Sequence, residues 1–174
     1  MRKFGVLFLA VATALVLSAC SSPAEGPKTK VPDKPAAEAP IVNAADYSDN
    51  YGGYIFRVGG GTVWCTMNTS PNFVLCEHRD VDVAYKIPTA PESCQGAWGY
   101  QAKLWAFQPS EGAIADWYCS SGLYSDPEGA YDLPSGSKIV VGDITCFAAE
   151  TVARCDNNTG QYLALGSEVF GFGN

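Results

Sequence analysis

The chain has 174 residues, and its 11 lysines and arginines face 18 aspartates and glutamates, a formal net charge of −7. From Asp46 onward the balance is more acidic still, which argues against nucleic acid or an anionic membrane surface as a partner of that part. An acidic face leaves a cationic ligand or a basic protein open, with solubility as the plainer reason for such charge.

Residues 1–19 read as a targeting segment rather than as part of a fold. Arg2 and Lys3 form a basic flank, and residues 4–17 are an uncharged apolar run, too short to cross a bilayer comfortably. The run ends in Leu17-Ser18-Ala19-Cys20, which resembles the lipobox of bacterial lipoproteins. That resemblance implies a diacylglycerol on the Cys20 sulfur, cleavage ahead of Cys20, and a place on the extracytoplasmic face of the cell membrane. An ordinary secretory signal or an uncleaved anchor is the alternative.

Residues 20–45 then change composition abruptly. They hold no aromatic residue, and Pro23, Pro27, Pro32, Pro35 and Pro40 interrupt balanced lysines and acids. Such a stretch buries too little surface to offset its ordering entropy, so a spacer is expected, able to hold a domain up to roughly 75 Å from the membrane. Residues 46–174 are left as a single domain of ordinary size.

That domain reads as β throughout. Residues 55–58 form a short strand halted by Gly59, Gly60 and Gly61. In residues 61–80 an apolar run with Cys65, a turn at residues 68–72 and a second run with Cys76 make a hairpin with the two cysteines face to face. Val81, Val83 and Tyr85 alternate with Asp82, Ala84 and Lys86, as a strand that continues or restarts. Residues 94–100 read as a turn-rich corner, and residues 101–107 and 113–119 as another hairpin. Residues 120–136 read as loop, and residues 138–141 as the strand leading into residues 142–156. There Ile144, Cys146 and Ala148 alternate along one arm and Val152 and Arg154 along the other. A two-residue turn at Glu150 and Thr151 sets Cys146 opposite Cys155, at mid-sheet. Residues 162–165 and 168–172 close the domain. The expected fold is mostly β, a small disulfide-stapled sandwich or barrel built from cysteine-bridged hairpins.

Seven cysteines become six once Cys20 is assigned to lipid, and an even number in an exported domain implies three bridges. The hairpins pair Cys65 with Cys76 and Cys146 with Cys155, and parity leaves Cys94 with Cys119.

The order of these residues resembles a family of small exported actinobacterial proteins of unknown function with a six-cysteine β domain. The resemblance rests on Phe56, Val63-Trp64-Cys65, Val74-Leu75-Cys76, Cys94 with Trp98-Gly99, and Cys119. It continues through Leu133-Pro134-Ser135-Gly136, Gly142 to Cys146, Cys155, Thr159-Gly160 and Phe170. Where the family has a Ser-Pro-Ser-Gly-Asn loop this chain carries Arg57-Val58-Gly59-Gly60-Gly61-Thr62. The resemblance implies export and the β fold, and transfers no catalytic residue.

Candidate chemistry is sparse. His78, the single histidine, stands between Glu77 and Arg79, and with Glu77 and Asp80 it makes the one conceivable metal set; a second nitrogen ligand is missing. No Gly-x-Ser-x-Gly elbow and no framed carboxylate pair is present, and the bridged cysteines offer no thiolate. The tryptophans and tyrosines suit either a core or a sugar-stacking surface. The expectation is a lipid-anchored, non-catalytic interaction module of the cell envelope, without cofactor, metal or catalytic residue. An accessory subunit of a membrane complex and an inhibitor of a basic secreted enzyme such as a lysozyme are the alternatives, and a glycan-binding module is a third.

Overall fold

Among the described residues eleven short strands, some alternating buried and more exposed side chains and others buried on both faces, form two sheets whose apolar faces meet. The structure is a computed structural model and describes residues 30–49, 51–79 and 83–174. The larger sheet contains β1 (Gly53–Val58), β2 (Val63–Thr69), β3 (Asn72–His78), β4 (Ala97–Trp105), β5 (Ala115–Ser120) and β6 (Tyr131–Asp132). Its order is β5-β4-β3-β2-β1-β6, antiparallel except for β6, which runs parallel to β1. The smaller sheet contains β7 (Lys138–Val141), β8 (Ile144–Ala149), β9 (Val152–Asn157), β10 (Tyr162–Leu165) and β11 (Phe170–Gly173), ordered β11-β10-β9-β8-β7.

Phe56, Cys65, Met67, Val74 and Leu104 of the first sheet pack against Ile139, Ile144, Ala153, Leu163 and Leu165 of the second in one buried cluster. The architecture is a sandwich. Cys65 lies opposite Cys76 and Cys146 opposite Cys155, each pair disulfide-bonded. The sulfurs of Cys65, Cys76 and Cys155 fall within 4.8 Å of one another, so the two bridges meet across the interior. The third bridge, Cys94–Cys119, ties the approach to β4 onto β5, with Cα atoms 5.5 Å apart.

Several details depart from the sequence expectation. Both bridged hairpins occupy the middle of their sheets, not only the one at residues 142–156. Residues 81 and 82 lie outside the described residues, and Val83 to Lys86 form no strand. There the Ala84 N–H donates to Ser167 O and the Tyr85 ring packs on Phe170 and Trp117, so tertiary contacts take up the apparent alternation. Residues 97–100 belong to β4 instead of a corner: Gly99, at φ +86°, accommodates an irregularity in the pairing with β5 while the strand continues. The loop at residues 120–136 contains a 3-10 turn at Pro127–Gly129 and the short β6.

The largest difference concerns the spacer. Residues 20–29 lie outside the described residues, but from Lys30 the chain is seated along the outer face of the smaller sheet. Arg154 Nη1 donates to Pro32 O, and the buried Lys138 donates from Nζ to Ala36 O at 3.2 Å and to Ala37 O at 2.8 Å. Lys138 N–H donates to Pro40 O at 2.8 Å, and Val42 N–H to Lys138 O at 2.9 Å. Each proline lacks an N–H donor but keeps its carbonyl, and here the carbonyls of Pro32, Ala36 and Ala37 face two cations held on β7 and β9. Arg154 is secured from the other side by Asp156, at 2.7 Å, and by the Tyr162 ring, 4.2 Å from its guanidinium carbon.

Candidate functional site

The register places one residue from every strand of the larger sheet in a single row on its outer face: Tyr118, Gln101, Glu77, Trp64, Arg57 and Asp132. At one end Arg57 Nε donates to Asp132 Oδ1 at 2.7 Å, and this hydrogen bond draws the Asp132 carboxyl below the usual carboxylate range. At the centre Glu77 is 1% exposed. Its Oε2 accepts from Trp64 Nε1 at 2.9 Å, from Ser125 N at 3.1 Å and from Ser125 Oγ at 3.2 Å. Its Oε1 accepts from Tyr124 N at 2.9 Å and from Gln101 Nε2.

A carboxylate buried without a counter-ion is costly unless its lone pairs are satisfied. Five donors satisfy these, and three of them come from Tyr124 and Ser125. Glu77 therefore fastens the β5–β6 connection to the sheet. Ala130, further along that connection, completes a second small core with Ile55 and Trp64. His78 lies between two main-chain carbonyls: Nδ1 is 2.9 Å from Arg79 O and Nε2 2.7 Å from Gly99 O, so a neutral ring donates to one of them and turns a lone pair to the other.

Above this floor opens a cleft of about 630 Å³. Its accessible parts include Arg79, Tyr100, Leu123, Asp126 and Glu128 beside the buried Pro127. The walls are largely apolar, Arg79, Asp126 and Glu128 present charge to the opening, and Glu77 and His78 lie beneath, already turned to protein atoms. Such an arrangement is suited to holding a ligand.

A second concentration of side chains lies further along the same face. Lys103 Nζ sits 3.9 Å from the Tyr118 ring centroid, 4.5 Å from Phe73 and 4.9 Å from Trp105. Burial lowers the Lys103 pKa, while the electron-rich ring faces favour the ammonium.

No family model, curated protein or solved structure matches this chain.

Cys20 and Asp80 lie outside the described residues. Of the conceivable metal set, Glu77 is spent on protein hydrogen bonds and His78 has both nitrogens turned to main-chain carbonyls. The sulfurs that cluster in the core are disulfide-bonded and offer no thiolate. Trp64 and Trp117 are core residues, Trp98 donates to Pro88 O at 3.0 Å, and Trp105 belongs to the Lys103 group. The role of Glu77 was within reach of the sequence: once Cys65 faces Cys76, Trp64 must face Glu77. The gathering of rings about Lys103 was not, because it depends on the register of β3, β4 and β5 together.

Proposed function

We propose that this protein is a lipid-anchored, non-catalytic binding module of the cell envelope, held through Cys20, with the cleft over Glu77 as its ligand site. The observation that carries the reading is the commitment of Glu77: it is buried and both its oxygens accept from protein donors, while the neighbouring His78 is buried between two main-chain carbonyls. The lipobox and the six-cysteine pattern support export and membership of the actinobacterial six-cysteine family. The disulfide framework suits an oxidising compartment. The acidic balance favours a basic partner, which keeps an inhibitor of a basic secreted enzyme as the second reading.

A photo-crosslinker in place of Leu123, which is exposed at the cleft, tests the proposal in native envelopes. Capture of one stoichiometric membrane protein is expected for an accessory subunit, and capture of a soluble basic enzyme for an inhibitor. Turnover of an envelope substrate that disappears in a folded His78→Gln variant would overturn the non-catalytic reading. The anchor is tested separately: Cys20→Ala should release the protein or leave an unprocessed precursor, and normal processing with membrane retention would remove the lipid assignment.

A further inference from the structure

The rings around Lys103 are more than a packing cluster. Phe73 faces Trp105 across β3 and β4 with centroids 5.2 Å apart, and Tyr124 meets Phe73 edge-on at 6.0 Å. Tyr118 and Tyr124 are 39% and 47% exposed, and Phe107, just beyond β4, is 57% exposed. Single exposed aromatics are ordinary on a protein surface, whereas a contiguous exposed group marks a contact site.

Beside the rings is a concavity of about 270 Å³ whose lining includes Lys103, Trp105, Glu111, Asp116 and Tyr118. Toward the other end of the sheet, Tyr118 stands next to Gln101 in the register, and Gln101 and Leu123 line the large cleft. The span from Gln101 to Trp105 on β4 is about 13 Å. Cleft and rings thus form one elongated strip along the β4–β5 side of the outer face.

We propose that this strip binds a linear, uncharged polysaccharide. Flat aromatic faces stack on the apolar faces of pyranose rings, and hydroxyl, carboxylate and amide groups at the margin supply the directional hydrogen bonds. Tyr118 and Tyr124 offer the faces. Glu111 and Asp116 accept from sugar hydroxyls, and Asn68, whose Nδ2 donates to Tyr124 Oη at 3.4 Å, extends the polar margin. Two carboxylates beside one ammonium disfavour an acidic polymer. Against a protein partner, the Lys103 ammonium fills the hollow between the rings where an apolar anchor would insert. The ammonium also holds the rings in place, which limits the ordering cost of binding.

The full-length protein, extracted in detergent, is tested for retention on insoluble chitin and cellulose and by fluorescence titration with their soluble fragments, with purified peptidoglycan, whose stems carry carboxylates, as the charged comparison. Retention on at least one is expected to survive high salt, because no net charge attraction is involved. Tyr118→Ala and Tyr124→Ala should each weaken it about tenfold or more, with far-ultraviolet circular dichroism unchanged. Glu92→Gln, exposed and outside both concavities, should leave retention within about twofold, an isolated surface charge being worth little. Failure on both chitin and cellulose, retention confined to peptidoglycan, equal retention of the tyrosine variants, or loss of retention in salt each overturns the proposal. Loss confined to Glu92→Gln does so too, while capture at Leu123 tests the cleft reading separately.

Discussion

Glu77 offers the sharpest test of how the outer face is held together. Glu77→Gln keeps the shape of the side chain but replaces one acceptor oxygen by a donor and removes the charge. Whichever way the amide turns, its NH2 faces donors: Gln101 Nε2 and Tyr124 N on one side, or Trp64 Nε1, Ser125 N and Ser125 Oγ on the other. A buried donor left unsatisfied costs about 1–3 kcal/mol, and hydrogen bonds to a charged acceptor contribute more than neutral ones. Two such losses, partly relieved by movement of the connection, amount to about 3 kcal/mol. Against a typical domain stability of about 5–15 kcal/mol, and at a few degrees per kcal/mol for a domain of this size, the melting temperature should fall by roughly 10 °C. Differential scanning calorimetry measures the fall, and native-state hydrogen exchange localises it to the Tyr124 and Ser125 amides. An unchanged melting temperature with both amides still protected would refute the argument that Glu77 fastens the connection.

Because both bridged hairpins lie mid-sheet, replacing Cys65 and Cys76 by alanine should destabilise the protein about as much as replacing Cys146 and Cys155, by about 2–5 kcal/mol each. A large difference in their denaturation midpoints would contradict the symmetry. Burial pushes the Tyr85 hydroxyl up to about 12 from 10.0, so its contribution is fully present below pH 10 and is lost as pH rises through 12. Tyr85→Phe should flatten that alkaline loss in melting temperature, without a penalty at neutral pH because the hydroxyl is buried with no hydrogen-bond partner among the described residues. Lys138→Met should free the segment around Ala36 and Ala37, seen as faster cleavage after Glu38 by a glutamate-specific protease with the rest of the domain resistant. Unchanged cleavage would show that Lys138 does not hold it.

The legible parts of this fold are those in which local pattern and covalent constraint agree. Around Cys146 and Cys155, alternation fixes the faces, the turn at Glu150 (φ 53°) fixes the register, and the bridge permits no slip. Where only one constraint acts, the reading fails. Val83 and Tyr85 alternate like a strand, yet Tyr85 is drawn to Trp117 and Phe170, which are distant in sequence. The prolines between Pro32 and Pro40 look unable to fold because they have no core to make. The carbonyls of Pro32, Ala36 and Ala37 are instead claimed by Arg154 and Lys138, more than ninety residues later. The candidate site is intermediate: its floor follows from the first hairpin's register, but its walls come from a connection whose position no local pattern specifies.

The seating of residues 30–42 changes the scale on which an anchored molecule would search its surroundings. With Lys138 and Arg154 holding that segment, the chain between Cys20 and the folded body is residues 21–29 alone. Even in the extended conformation of a proline-rich chain this spans only about 28 Å, against roughly 75 Å for the whole composition-defined stretch. The volume swept from a fixed lipid falls roughly as the cube of that reach, by an order of magnitude or more, and the effective concentration toward partners close to the same bilayer rises in proportion. The seated segment would thereby turn a long leash into a short one, favouring what lies near the membrane over what lies far out in the wall.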